Sequence, residues 1–181
     1  MKPLIKLAGT NPEIPLLHFD LTNCPLPDNS VDAVVLLNVL EHIEADALAI
    51  HQLYRILRPN GVAVVEVPAG RYLYDIYDEL LMHYRRYRPR DLRKMFLKEK
   101  FLILKQSHLG FFLYPGFFLV KQLRRLNRSK ITKESIPSMV SQSIIKTRDN
   151  WLLRTLTILE LRLGNWLSYP FGIRYLIICK K

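Results

Sequence analysis

The chain has 181 residues and a formal net charge of +11, with 49% apolar and 24% charged residues. This composition excludes an intrinsically disordered chain, and the length suits one domain with a buried core. The excess of Lys and Arg predicts an anionic partner, which is a nucleic acid, a phospholipid surface or a phosphorylated substrate.

Neither a targeting segment nor a membrane span is predicted. The apolar part of the N-terminus is short and is broken by Gly9 and Pro12, so we expect no signal peptide. The most apolar run, Leu109–Val120, is shorter than the roughly 18 residues that a membrane-spanning helix needs. Cys24 and Cys179 form neither a disulfide framework nor a metal site, and we therefore expect a cytoplasmic protein.

The first half of the chain predicts alternating strands and helices. Apolar runs predict buried strands over Ile14–Phe19, Val31–Asn38 and Val62–Pro68, and we expect the second to be covered on both faces. Helical spacing of apolar residues predicts a helix over Ala45–Leu57, which the turn Arg58–Gly61 ends. This alternation is typical of an α/β protein with a parallel sheet.

The second half predicts further elements of the same kind. Residues 88–100 predict a helix, and residues 101–109 and 172–181 predict strands. Residues 129–147 are polar and predict a loop, and a leucine-rich helix follows that ends at Gly164.

Two stretches of sequence carry a family resemblance. Phe19–His42 contains an acid-Leu loop, the segment Pro-Leu-Pro-Asp-Asn-Ser-Val-Asp and a predicted strand that ends in Asn-Val-Leu-Glu-His. Arg55–Pro68 contains a helix end, a Leu-Arg-Pro-Asn-Gly turn and a strand. In both, the chain resembles the class I S-adenosylmethionine-dependent methyltransferases, close to the methyltransferase type 11 group. The resemblance implies a single methyltransferase-like domain over residues 1–181, with a Rossmann-like α/β sheet and helices on both faces.

The resemblance also implies a cofactor, S-adenosylmethionine, and residues that bind it. Asp20 matches the acid that accepts a hydrogen bond from the adenine amino group; alternatively, it only caps a turn. The backbone of Leu21 and the side chain of Leu26 are expected to flank the ring. Asn38 is expected to line the channel between methyl donor and acceptor. Because ligands bind beyond the carboxyl ends of strands in open α/β sheets, we expect Asp20 and Asn38 at the same rim.

Two histidines are candidates for proton transfer at the mouth of this channel. His42 can take a proton from a substrate hydroxyl, and His83 is the second candidate, with Glu41 as a substrate contact. Alternatively, Glu41 only complements a helix dipole and His42 only packs. No metal ligands are predicted.

The segment that follows His83 is rich in hydrogen-bond donors and predicts substrate contacts. Tyr84 can stack on a ring, and Arg85 and Arg86 can bind a phosphate or carboxylate. The alternative is a structural role in which the arginines pair with nearby acids, which are Asp75, Asp78 and Glu79.

A basic amphipathic helix is predicted within residues 116–128. Lys121, Arg124, Arg125 and Arg128 share one stripe of this helix. Residues 109–147 are therefore expected to form either a lid over the cleft or a membrane-facing insertion that contacts the inner face of the membrane. Nucleic acid is not expected, because no binding module accompanies the charge.

The glycine-rich loop of the family is absent from this sequence, since its seven glycines are isolated and no G-x-G occurs. The family order 3-2-1-4-5-7-6 then implies that the first two strands are missing and that the Val31 strand has an open edge. We expect a truncated chain whose cofactor affinity is weakened. The function expected is methyl transfer to an oxygen or nitrogen of a small or lipid-linked, saccharide-type acceptor. The alternative is a non-catalytic remnant that binds a membrane surface or a partner.

Overall fold

The computed structural model describes residues 15–126, 151–164 and 166–181. In these residues four strands form one sheet with the order β1-β2-β4-β3. Strand β1 is parallel to β2, and β4 is antiparallel to both of its neighbours. This is the order of the last four strands in the sheet of the family that the sequence resembles. The strands are β1 (Val31–Leu37), β2 (Leu57–Pro68), β3 (Leu102–Leu109) and β4 (Arg174–Lys180).

Helices and short 3₁₀ turns connect these strands. Helix α3 begins at Pro89, which is favoured in the first turn because its missing N–H would have no partner there. The predicted helices over 45–57 and 88–100 and the strands over 101–109 and 172–181 are confirmed within a few residues at each end. The helices are α1 (Asp46–Ile56), α2 (Ile76–Leu80), α3 (Pro89–Lys98), α4 (Tyr114–Leu126) and α5 (Trp151–Gly164).

The hydrophobic core lies where α1 and α3 pack against the middle of the sheet. Leu53 of α1, Val65 of β2 and Ile177 of β4 are fully buried. Phe96 of α3 is also fully buried, and its ring centroid lies 5.3 Å from that of Phe101. Burial of such side chains contributes about 1.5–3 kcal/mol each, so this cluster fixes how the helices sit on the sheet.

The strand predicted over Ile14–Phe19 is wrong for its described part. Residues 15–20 form no strand, and Leu16, Leu17 and Phe19 are exposed. A strand needs a neighbour that binds its backbone groups, and residues 15–20 pair with none of the four described strands. The predicted turn Arg58–Gly61 lies inside the range of β2, where the pairing with β1 skips from Leu57 to Val62 and Asn60 is in the left-handed region, so the chain does turn here.

Strand β1 forms one edge of the sheet, as predicted, but it is not covered on both faces. Val35 is 59% exposed and Leu37 is 54% exposed. Only Val31, Val34 and Leu36 pack against the core, since no described element covers the other face. The apolar run was therefore read correctly as a strand and incorrectly as a fully buried one.

Helix α4 differs from the basic stripe that its sequence predicts. Lys121 is 4% exposed and binds two carboxylates, so it does not face solvent. The side chains of Arg124 and Arg125 and all of residues 127–150 lie outside the described part, as does the predicted loop 129–147. Among the described helices none is both long and apolar enough to span a bilayer.

Candidate active site

A sharp change of chain direction follows the carboxyl end of β1. Asn38 has a φ angle of 54°, a left-handed conformation that Asn tolerates better than most residues. Its backbone N–H donates to the carbonyl of Glu66 in β2 at 3.0 Å. The 3₁₀ turn Leu40–His42 begins directly afterwards, so Glu41 and His42 are held beside the ends of β1 and β2.

A cavity of about 350 Å³ opens at these strand ends, within the size range of small-molecule sites. Four of the residues predicted from the sequence as site residues, from two separate segments, line it: Asn38, His42, His83 and Arg86. The remaining lining residues are Pro68, Leu81, Ile173 and Arg174.

Glu41 lies behind this cavity in an unusual environment. Its side chain is completely buried, and neither carboxylate oxygen has a hydrogen-bond partner among the described residues. Its Oε1 atom is 4.0 Å from Nε2 of His83, and the His83 ring lies edge-on to His42 with centroids 4.7 Å apart. Burial raises the pKa of the Glu41 carboxyl, because the charged form loses its hydration.

Asp78 organises the opposite side of His83. Its Oδ1 atom lies 3.1 Å from Nδ1 of His83 and accepts a hydrogen bond from Nε of Arg86 at 2.7 Å. Its Oδ2 atom accepts from Nζ of Lys121 at 3.2 Å. Although burial opposes ionisation, Arg86 and Lys121 hold the pKa of Asp78 below its ordinary value. Burial lowers the pKa of His83, against the effect of Asp78.

The predicted substrate contacts Arg85 and Arg86 are both engaged within the protein. Arg86 is buried and pairs with Asp78, which is one of the partners expected in the structural alternative. Arg85 donates instead to Asp46 at 2.9 Å and to the carbonyl of Glu44 at 2.8 Å. A substrate contact for either arginine stays a prediction.

Tyr84 is placed differently from the arginines. It is 55% exposed and lines a second cavity of about 590 Å³, in the size range of ligand pockets, together with His42 and His83. Its backbone N–H donates to the carbonyl of Glu41 at 2.8 Å, which ties the two segments of the site together. Its ring is accessible for the predicted stacking.

The predicted adenine-binding residues are not part of this cavity. Asp20 caps the 3₁₀ turn Leu21–Asn23, accepting hydrogen bonds from the backbone and the hydroxyl of Thr22, both at 2.8 Å. Leu26 belongs to the same loop, where its carbonyl accepts from Arg55 of α1 at 2.8 Å. Neither Asp20, Leu21 nor Leu26 lines the cavity around Asn38. The adenine role of this loop stays a prediction.

Sequence reasoning named Asp75 and Asp78 only as possible partners of the arginines and missed their connection to Lys121. Asp75 is the N-cap of α2, and Asp78 lies three residues further on. The carboxylate of Asp75 accepts from a backbone N–H in the first turn of the helix, and the carboxylate of Asp78 accepts from the backbone N–H of Asp75. This reciprocal arrangement is a capping box, which is readable from the spacing of the two acids. The partner Lys121, which binds Asp75 at 2.6 Å, comes from a distant helix and has no such signal.

Comparison with known proteins gives matches to methyltransferases. Residues 1–65 match the family Methyltransf_11, described as a methyltransferase domain. A probable S-adenosylmethionine-dependent methyltransferase of Mycolicibacterium smegmatis is 42% identical over 57 residues, which are 32% of this chain and 22% of the relative. The match therefore spans less than a quarter of that relative's length.

Solved structures extend the likeness over most of the chain. A SAM-dependent methyltransferase from Archaeoglobus fulgidus aligns with a TM-score of 0.57 at 16% identity, covering all of this chain and 73% of the other. A phosphoethanolamine N-methyltransferase of Haemonchus contortus, solved with S-adenosylhomocysteine, aligns with a TM-score of 0.51 at 15% identity over 90% of this chain and 36% of the other. At these identities the likeness concerns the fold.

Proposed function

Because the chain has the fold of the class I S-adenosylmethionine-dependent methyltransferases and its N-terminal third matches their sequences, we propose that it takes part in methyl transfer from S-adenosylmethionine. The acceptor atom proposed is an oxygen, or a nitrogen, of a small or lipid-linked molecule. The single observation that carries the proposal is the cavity at the carboxyl ends of β1 and β2, where ligands bind in open α/β sheets.

The residues around the cavity fit the reacting end of the cofactor better than its adenine end. Asn38, His42 and His83 give the cavity polar groups that can position an acceptor. Asp20 and its loop do not line the cavity, and the sequence contains no glycine-rich loop. We therefore assign these residues to the methyl-acceptor side of the site.

S-adenosylmethionine supplies a methyl group on a positively charged sulfur, which leaves as a neutral thioether. The task of the protein is to hold the acceptor atom in line with the methyl carbon and to remove the acceptor's proton. Alignment can contribute several kcal/mol, up to about 7–11 kcal/mol in well-oriented reactions. His42 is exposed at the cavity and can accept the proton of a hydroxyl, and His83 stands next to it.

The charge of the surroundings favours an anionic acceptor. Arg86 and Arg174 are among the residues that line the cavity, and the whole chain carries +11. Arg174 is half exposed and pairs with Glu66 at 2.7 Å, so it can turn towards a bound phosphate or carboxylate. A phosphorylated acceptor, including a lipid-linked one, is consistent with this arrangement.

Calorimetric titration with S-adenosylhomocysteine tests cofactor binding. We expect measurable heat for this chain, weaker than for a relative that contains the glycine-rich loop. Absence of heat for both proteins would contradict the proposal, whereas absence for this chain alone would assign the lost affinity to the missing loop.

Transfer of a labelled methyl group tests the catalytic part. His42→Ala is expected to lower the rate by roughly 10²- to 10⁴-fold, the range of general-base contributions. The matched control is His51→Ala, an exposed histidine on α1 that pairs with Glu99 outside the cavity. Equal rates for both variants would exclude His42 from the reaction.

A second proposal, contact with a membrane surface, rests on exposed apolar side chains. Leu119 and Leu123 of α4 are 59% and 50% exposed, and Trp151 of α5 and Trp166 behind it are 75% and 90% exposed. Large rings and leucines beside a basic segment suit the interface of an anionic bilayer. Co-sedimentation with phosphatidylserine vesicles is expected to fall for Trp166→Ser, with Leu48→Ser on α1 as a control for an exposed apolar residue elsewhere. Equal sedimentation would remove this proposal.

A further inference from the structure

Three side chains at the cavity form a cluster of potential metal ligands. Glu41, His42 and His83 each offer one ligand atom, and these atoms lie within 4.8 Å of one another. Two imidazoles and one carboxylate are a donor set that suits zinc and related divalent transition metals. The first two residues are neighbours on one 3₁₀ turn, and the third is brought to them by the fold.

The environment of Glu41 points to a missing partner. A carboxylate that is completely buried and accepts no hydrogen bond is costly, and native proteins rarely contain one without a reason. Nε2 of His83 is 4.0 Å from Oε1 of Glu41 and is therefore beyond hydrogen-bond distance. A bound cation would compensate the charge of this carboxylate and bind one of its oxygens, which the described protein atoms do not do.

His83 is oriented as metal-binding histidines are. Nδ1 lies 3.1 Å from the carboxylate of Asp78, which Arg86 and Lys121 hold in its ionised form. An ionised carboxylate only accepts hydrogen bonds, so Nδ1 carries the hydrogen and the lone pair of Nε2 points to the side of Glu41. Metal-binding histidines generally donate their other N–H to such a carboxylate, which fixes the tautomer and ring orientation.

His42 completes the set at the open side of the cluster. Its ring is exposed and lines the cavity, in contrast to the buried Glu41. In a tetrahedral site with bonds of about 2.1 Å, ligand atoms lie about 3.4 Å apart. Metal binding therefore requires a rotation of the exposed His42 ring and a shortening of the 4.0 Å distance between Glu41 and His83. Three protein ligands leave a fourth position, as in catalytic zinc sites.

We propose that Glu41, His42 and His83 bind one divalent transition-metal ion of the zinc type, with an open coordination position towards the cavity. Binding of the ion does not depend on methyl transfer. Its use does rest on the proposed function: an acceptor oxygen bound at the open position would release its proton to solvent more easily, so the histidines would act as ligands rather than as proton acceptors and the ion would activate the acceptor.

Metal binding is measured on the full chain by calorimetric titration with ZnCl₂ and by metal analysis after dialysis. We expect one ion per chain and a rise in melting temperature with zinc. His42→Ala and Glu41→Gln are each expected to weaken binding more than about 100-fold, since loss of a supporting group alone costs 10- to 100-fold. His51→Ala, which removes an exposed histidine that pairs with a glutamate, is expected to bind zinc like the wild type.

Circular dichroism separates loss of a ligand from loss of the fold. Glu41→Gln removes a buried charge without changing the side-chain shape, so we expect the metal-free variant to be at least as stable as the wild type. His42→Ala alters an exposed side chain and is the second test if the first variant does not fold. Absence of one-to-one binding, or equal affinity for the wild type, Glu41→Gln and His42→Ala, would overturn the proposal.

The S-adenosylhomocysteine titration of the same preparation keeps the two proposals apart. Zinc binding without cofactor binding would support the metal site and count against methyl transfer. Cofactor binding without zinc binding would support methyl transfer and count against the metal site. Cobalt(II) adds a spectroscopic readout, because a tetrahedral site of this donor set is expected to give visible absorption that Glu41→Gln removes.

Discussion

The Nδ1 atom of His83 lies 3.1 Å from the Oδ1 atom of Asp78. This contact joins the candidate active site to a buried ionic network, because the same carboxylate also binds Arg86 and Lys121. The orientation of one cavity residue therefore depends on three charged side chains, two of which do not line the cavity.

Replacing Asp78 by Asn is expected to weaken zinc binding by roughly 10- to 100-fold, the effect typical of losing a group that orients a ligand. The amide can donate to Nδ1 of His83 and so reverse the tautomer, which places a hydrogen on the metal-facing Nε2. Calorimetry below the melting temperature measures the affinity. Asp91→Asn, at an exposed ion pair with Arg71, is the control. Unchanged affinity for Asp78→Asn would contradict the orienting role.

Replacing Lys121 by Met is expected to lower the free energy of unfolding by about 3–5 kcal/mol, because it leaves the buried carboxylate of Asp75 without its cation and leaves Asp78 with Arg86 alone. Urea denaturation followed by circular dichroism measures the change. Lys94→Met on α3, at an exposed position, is the matched control and is expected to change stability by less than about 0.5 kcal/mol. Similar decreases in the free energy of unfolding for both variants would mean that Lys121 is exposed to water and makes no buried ion pair in solution.

Stability is expected to fall with acidity partly because of His108. Burial lowers the pKa of His108, against the hydrogen bond between its Nδ1 and the carbonyl of Tyr169 at 3.0 Å. The unfolded chain then binds the proton more readily, so the contribution of this group is fully present above pH 6.5 and is lost as the pH falls towards the lowered value.

Unfolding free energies measured between pH 5 and pH 8 check this. His108→Asn keeps a donor for Tyr169 but cannot titrate, so its stability is expected to fall less steeply below pH 6.5, by at most about 1.4 kcal/mol per pH unit. The change His51→Asn controls for removal of a histidine at an exposed position. An identical slope for His108→Asn and wild type would show that His108 does not contribute.

Replacing Val35 by Lys is expected to reduce self-association. Val35 is 59% exposed on the edge strand β1, and an exposed apolar edge favours pairing with another chain, which a lysine opposes. Sedimentation velocity over a range of concentrations measures the effect. Leu48→Lys on α1, at a site that is 55% exposed, adds the same charge away from the edge. If both variants self-associate to the same extent, any reduction relative to the wild type comes from the change in net charge.

Much of the fold was readable from local pattern. Continuous apolar runs and helical spacing located β2, α1 and α3 because packing against the core imposes those periods on the sequence. The apolar segment Ile14–Phe19 has the same composition as the observed strands, but its described residues pair with no strand. A sequence pattern does not show which strand a segment pairs with. For the same reason, the sequence pattern did not show that one face of β1 is exposed.

The candidate site was only partly readable. Asn38, Glu41 and His42 were found because they follow a strand directly, and strand ends meet at one rim. His83 was named as a second histidine, but its contact with Glu41 depends on the path of the chain through α2. Lys121 was assigned to a solvent-facing stripe because helical spacing gives the face and not the partner.

The position of β4 has a consequence for how the molecule is made. It lies between β2 and β3, yet it follows both of them in the chain. During synthesis β2 and β3 therefore leave the ribosome before β4, the strand that pairs with both. Until β4 is made, the backbone N–H and C=O groups at those two edges have no strand to bind. Pairing between segments that are far apart in the chain is slow to form. We therefore expect the nascent chain to be prone to aggregation through its open sheet edges until β4 is in place.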